Sequence, residues 1–157
     1  MKTSIVIKPQ NLAEVAKSLN RLLADETVLY IKTRNAHWNV EGPDFHAQHI
    51  FFEEQYHQLE NFIDEVAERV RTLGHYAEAT MKAYLELTHL TEQTRDKNNS
   101  AGFIKDLLKD HETIIIHMRE HIDRFANDLH DQGSSDFITG LITSHEKMSW
   151  MLRAHLK

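Results

Sequence analysis

Apolar residues recur three or four apart along most of this chain, the spacing that places them on one face of an α-helix. The first run carries Leu12, Val15, Leu19, Leu22, Leu29 and Ala36, with Glu26 and Thr33 in the same phase, and reaches about Val40. Asn11, with Glu14 three residues later and Pro9 just upstream, reads as a capping-box start. Gly42-Pro43-Asp44 then breaks the chain and offers Asp44 as a new N-cap. A second run goes from Phe45 to Leu73 and stops at Gly74, a natural residue for a left-handed helix end.

Residues 75–100 lose that regularity. Tyr84, Leu85, Leu87 and Leu90 predict a short helix inside a long connection, and Asp96-Lys97-Asn98-Asn99-Ser100 is a loop signal. A third long run follows through Ile104, Leu107, His111, Ile114, Met118, Ile122, Phe125 and Leu129. Gly133-Ser134-Ser135 reads as its end and as the start of a fourth, through Ile138, Leu141, Ile142, His145, Met148 and Leu152. Hairpin, long crossover, hairpin is an all-α plan. One long crossover separates ferritin-like four-helix bundles from simple up-down ones, and here a short extra helix lies in the crossover between helices 2 and 3. Residues 1–157 read as one such domain, with 1–9 as a short N-terminal segment.

Composition agrees. With 157 residues, 41% hydrophobic and 27% charged, one packed domain is expected and disorder is not. Five Gly and two Pro are few for a sheet protein that must turn often. The absence of Cys removes disulfides and thiolate metal sites, and fits a reducing compartment. Met1 to Lys8 is too short and polar for a signal peptide, and no stretch approaches the ~18 apolar residues of a membrane span. The formal charge of −6 argues against a surface built mainly for nucleic acid. Twelve His residues turn attention to metals.

His37 lies five residues before Gly42 and His49 seven after, so on antiparallel helices the two should be level within about one turn. His49 and Glu53 are spaced i, i+4 and share a face, as do Asp64 and Glu68 further along. At ~100° per residue, His49, Glu53, Asp64 and Glu68 fall at about 0°, 40°, 60° and 100°, one stripe. Yet Asp64 is about 22 Å of helix beyond His49, too far for one metal site. If the stripe faces a two-fold axis, the partner subunit's Asp64 and the partner subunit's Glu68 come opposite His37, His49 and Glu53, and symmetry makes two equivalent sites.

His37-Trp38-Asn39-Val40-Glu41-Gly42, with Phe45, His49, Phe52, Asp64, Ala67-Glu68-Arg69 and Leu73-Gly74, closely resembles the Dps family of mini-ferritins, DNA-binding proteins from starved cells. The run His145 to Ala154 is similar to that family's last helix. The resemblance implies an intersubunit ferroxidase site from His37, His49, Glu53, Asp64 and Glu68, with Glu53 standing where the family usually has Asp. It implies oxidation of Fe(II) by hydrogen peroxide or O2, storage of ferric iron in a hollow dodecamer of two-fold dimers, and protection against oxidative stress. Zinc or another divalent metal could occupy the same site. Trp38, beside His37, is an auxiliary redox candidate. Asp136, extended by Asp128 and Asp131, corresponds to acids lining three-fold pores. A cytoplasmic location is expected, with nucleoid association open.

The remaining features divide into packing and alternatives. Trp38 and Trp150 read as packing residues first. His111, His121 and His145 read as structural, because no carboxylate partner is evident for them. His46, His57, His75, His89, His117, His130 and His155 default to exposed positions. Arg69 and Arg71 are near enough to pair locally with Asp64 and Glu68. Glu54-x-x-His57 and Glu86-x-x-His89 match the pair used inside di-iron bundles, which keeps an intrasubunit di-iron enzyme as an alternative. DNA compaction is the other: with only Lys2 and Lys8 in the N-terminal segment and Arg153 and Lys157 at the C-terminus, strong DNA binding is not expected at neutral pH.

Overall fold

A computed structural model describes residues 5–92 and 97–157; Lys2 and Asp96, used above, lie outside them. Five helices follow in order: α1 Pro9–Asn39, α2 Phe45–Thr72, α3 Met81–Leu87, α4 Ser100–Asp123 and α5 Gln132–Ala154. Arg124–Asp128 forms one π-helical turn at the end of α4. No strand occurs among the described residues. α1 packs chiefly on α2 and α4 chiefly on α5, so the bundle is two hairpins, as the apolar periods predict.

The turn between α1 and α2 is tight because Gly42 takes φ +130°, a conformation L side chains rarely adopt. Asp44 stands at the N-cap position of α2, but its side chain makes no cap hydrogen bond. At the far end Gly74 takes φ +86°. Its N–H donates to the Arg71 carbonyl at 3.0 Å and that of His75 to Val70 at 3.3 Å, closing α2 with a Schellman pair.

The crossover then climbs α1. Asn20 Nδ2 donates to the Tyr76 carbonyl at 3.1 Å and its Oδ1 accepts from the Glu78 N–H at 2.9 Å. Asp25 Oδ1 accepts from Thr88 Oγ1 at 2.7 Å and from the His89 N–H at 2.6 Å. Lys32 reaches the Thr91 carbonyl at 2.8 Å, and the Glu41 N–H donates to Asn98 at 3.0 Å. On the way α3 is capped by Thr80, and Asn99 caps α4 by accepting from the Gly102 N–H at 2.8 Å.

Two helix boundaries differ from the sequence reading. α1 starts at Pro9, where proline needs no N–H partner, and Asn11 is inside it. The Asn11 side chain is buried and donates to the Leu129 carbonyl at 3.0 Å, while Glu14 pairs with Arg124 at 3.0 Å, so neither forms a capping box. Likewise Gly133-Ser134-Ser135 belongs to the first turn of α5 rather than to a break. The break is at His130, with φ +57°, and Asp131 is the N-cap, accepting from the Ser134 N–H at 2.9 Å.

Candidate metal centre

The Gly42 turn sets His37 and His49 face to face. Their ring centroids are 3.7 Å apart and the planes differ by 21°. His37 Nδ1 lies 2.8 Å from the His49 carbonyl oxygen, and His49 Nδ1 lies 2.8 Å from the His37 carbonyl oxygen. A carbonyl only accepts, so each Nδ1 carries a proton, and in the neutral ring that leaves Nε2 as the nitrogen with the lone pair. Tyr56 stands edge-on to His37 and Phe45 lies against His49, both with centroids 5.2 Å away. Two imidazoles are thereby fixed in orientation, with Nε2 of each left free of these hydrogen bonds.

Glu53, half-buried one turn beyond His49, accepts a hydrogen bond from Tyr56 Oη at 3.3 Å. Burial and the Glu53 carboxylate push the Tyr56 phenol above its ordinary range, so it stays a donor. Tyr56 is a positioning residue that spacing alone did not single out. Arg34 covers the outside of this set, with its guanidinium carbon 4.7 Å from the Tyr56 ring centre and 4.9 Å from that of Trp38. Its hydrogen bond to Tyr30 raises the Arg34 pKa, which keeps the cation in place. Trp38 is 59% exposed and Trp150 is 63% exposed, so neither packs in the core of the subunit.

Asp64 and Glu68 are both exposed on α2, about 22 and 28 Å of helix from His49. The expected local pairing with arginine is not found. Arg69 instead crosses to Asp131, with Nη2 at 3.2 Å, and to Ser134, with Nε at 3.1 Å; Arg71 donates to the His75 carbonyl at 2.8 Å. Neither acid has an ion-pair partner among the described residues. Within one chain, the described residues bring no three His, Asp or Glu together in a way that could hold an ion.

Other expected residues fall differently. Asp128 and Asp136 are exposed, and Asp136 accepts from Gln132 at 2.7 Å. Asp131 is only 2% exposed and is engaged by Ser134 and Arg69, which removes it from any pore lining. Glu54, His57 and Glu86 are exposed, so neither Glu-x-x-His pair projects into the bundle core. His111 and His145 are fully buried, as expected, but they do have a carboxylate. His145 Nε2 lies 2.8 Å from Glu26 Oε1, and the two rings meet at 2.8 Å through Nδ1. Burial first, then His145, hold the His111 imidazolium well below its ordinary range. His89 and His117 are not simply exposed: they are half-buried and stacked, with centroids 3.6 Å apart.

The helical architecture is that of a ferritin-like protein. The family model for the ferritin-like domain matches residues 16–157. The chain is 37% identical over 143 residues to DNA protection during starvation protein 2 of Bacillus anthracis, covering 91% of this chain and 97% of that protein. It is 36% identical to the protein of the same general name from Brevibacillus brevis, over all of both chains. The crystal structure of the Dps protein of Vibrio cholerae, described as a member of the ferritin-like diiron-carboxylate superfamily, superposes with a TM-score of 0.92 at 32% identity. That match covers 100% of this chain and 98% of that one. The chain belongs to the Dps family. No helix of the described residues is long and apolar enough to cross a membrane.

Proposed function

We propose that this protein is a ferroxidase, which oxidises Fe(II) at sites built jointly by two identical subunits and stores the ferric product in a hollow dodecamer. The observation that carries this reading is the His37–His49 lock. Each ring donates through Nδ1, so two Nε2 donors and Glu53 stand together at one end of α2, while Asp64 and Glu68 wait unpaired well beyond reach. A two-fold axis across α2 supplies the missing oxygens to each half.

Mixed imidazole and carboxylate donors suit Fe(II), and the oxygen-rich side suits the Fe(III) product. With peroxide as oxidant, two Fe(II) each give one electron, the O–O bond breaks, two protons are taken up, and two waters form. With no single electron left over, no hydroxyl radical escapes. Trp38, exposed and next to His37, is placed to donate an electron to any one-electron oxidant that does. O2 is the alternative oxidant. Asp136 and Asp128 line the iron uptake path in this reading, where focused negative charge concentrates cations.

The experiment is anaerobic loading with Fe(II) followed by peroxide. Two Fe(II) oxidised per peroxide, at a rate at least tenfold above buffer and lost in His37→Ala, is the expected result. Oxidation no faster than buffer ends the reading. DNA compaction is the lesser reading: relatives carry DNA protection in their names, but the formal charge of −6 opposes phosphate binding at neutral pH.

A further inference from the structure

Arg34 is packed among aromatic rings rather than against acids. Tyr30, Arg34 and Trp38 follow one another at i, i+4 and i+8 along one face of α1, and Tyr56 of α2 meets Tyr30 edge-on with centroids 6.0 Å apart. The Arg34 guanidinium carbon lies 4.7 Å from the centre of the Tyr56 ring, 4.9 Å from that of Trp38 and 5.5 Å from that of Tyr30. Each distance is that of a cation–π contact. Nη1 donates to Tyr30 Oη at 2.7 Å, while Nε is buried with no hydrogen-bond partner. Among the described residues no carboxylate forms an ion pair with Arg34, and Glu60 acts on it only through space.

These rings are oxidisable and stand beside the candidate metal centre. Tyr56 is edge-on to His37 at 5.2 Å, and Trp38 is the next residue along the chain. Tyr56 is the more vulnerable on chemical grounds. Its hydroxyl donates to Glu53 at 3.3 Å, so a carboxylate is at hand for the proton that a phenol sheds on losing an electron. A positive charge over a ring opposes that loss twice. It attracts the intact π face, and it repels the positive charge that oxidation creates.

We propose that Arg34 is a redox-tuning residue, holding Trp38, Tyr56 and Tyr30 back from mild oxidants so that they yield an electron only to one as strong as hydroxyl radical. Its role, though not its test, rests on the ferroxidase reading above. Arg34 meets no reacting atom; it acts through the rings. In the protective step Trp38 gives one electron and its indole proton to a hydroxyl radical. The radical becomes water, and a neutral indolyl radical is left on the exposed side chain. Peroxide and ferric iron are weaker one-electron oxidants and leave the rings intact, so turnover does not consume them.

The test needs no iron. Trp150 is an internal reference, being 63% exposed against 59% for Trp38. Among the described residues the rings with an arginine over them are Tyr30, Trp38, Tyr56 and Tyr76, and Trp150 is not one of them. The metal-free protein is oxidised briefly by photoexcited lumiflavin, an uncharged one-electron oxidant, and oxidation of Trp38 relative to Trp150 is read by peptide mass spectrometry. Hydroxyl-radical footprinting of each protein gives the exposure of both indoles, by which that ratio is corrected. Arg34→Gln should raise the corrected ratio by about threefold or more, and Arg34→Lys, which keeps the charge, should leave it near the unaltered value. No rise in Arg34→Gln overturns the proposal. An equal rise in Arg34→Lys also overturns it, by assigning Arg34 to packing. Should Arg34→Gln not fold, the unaltered protein decides: corrected oxidation of Trp38 should be about threefold or more below that of Trp150, and equality overturns the proposal. None of these outcomes depends on iron oxidation, so failure here leaves the ferroxidase reading standing.

Discussion

His37 and His49 each donate a ring proton to the other's backbone carbonyl, both at 2.8 Å. Each ring is held by the backbone of the opposite helix and stacked on the other with centroids 3.7 Å apart, so the pair is a rigid donor unit. Its rigidity comes from backbone on both sides of the Gly42 turn. A change in that turn should therefore reach the metal site without touching a ligand.

Glu53 tests the surroundings of that unit. Tyr56→Phe keeps the ring against His37 but removes the hydroxyl that Glu53 accepts from. One long hydrogen bond to a carboxylate contributes on the order of 1 kcal/mol. Fe(II) affinity should fall by roughly three- to tenfold while the fold is retained, as measured by anaerobic Fe(II) titration. Unchanged affinity would remove Tyr56 from the site.

Asp131 should matter to stability and not to iron uptake. It caps α5 and is paired with Arg69 while 2% exposed. Asp131→Ala removes the cap and the carboxylate that pairs with Arg69, leaving that guanidinium only its bond to Ser134, together costing about 2 kcal/mol. Urea unfolding should shift to lower concentration with iron uptake unaltered. Asp136→Asn, on the surface, should do the reverse.

Much of this was legible in the sequence. The long apolar periods fix four helices and one crossover, and counting from Gly42 puts His37 and His49 level because both distances are short. The end of α4 was not legible. Gly133 looks like a break, but its missing Cβ serves another purpose: a Cβ there would sit 3.0 Å from Arg69 Nη2, on the path to Asp131. The real break, His130 at φ +57°, carries only a weak signal, since histidine enters the left-handed region more often than most residues but far less than glycine. Glu26 was visible in the apolar stripe of α1, yet its partner His145 is 119 residues away, beyond the reach of any local pattern. The His89–His117 pair was hidden for a related reason: a crossover without a period gives no register.

The buried His111 sets an acid limit on stability. The His111 imidazolium is held well below its ordinary value of 6.5, chiefly by burial. Near and below about pH 6.5 the unfolded chain takes up a proton there that the folded chain refuses. Stability from this group is therefore complete above pH 6.5. It declines as the pH falls, by at most ~1.4 kcal/mol per pH unit, until the folded ring itself titrates. His111→Gln should flatten the fall in urea midpoint between pH 8 and pH 5 at one protein concentration. The same slope in both proteins would contradict this assignment.

Trp38 should affect side products rather than main turnover. Trp38→Phe should leave peroxide-driven oxidation within about twofold and raise spin-trapped hydroxyl radical, since a phenyl ring is the harder one-electron donor. Unchanged radical yield and unchanged oxidation kinetics would assign Trp38 to packing between subunits.

Shared sites admit a direct test by complementation. His49→Ala and Glu68→Ala chains, each inactive alone, are unfolded together, refolded and assayed for Fe(II) oxidation. Half of randomly paired dimers are mixed, and each mixed dimer has one intact site of two, so about a quarter of the unaltered activity should return. A mixture no more active than its two components would contradict a site built across the two-fold axis.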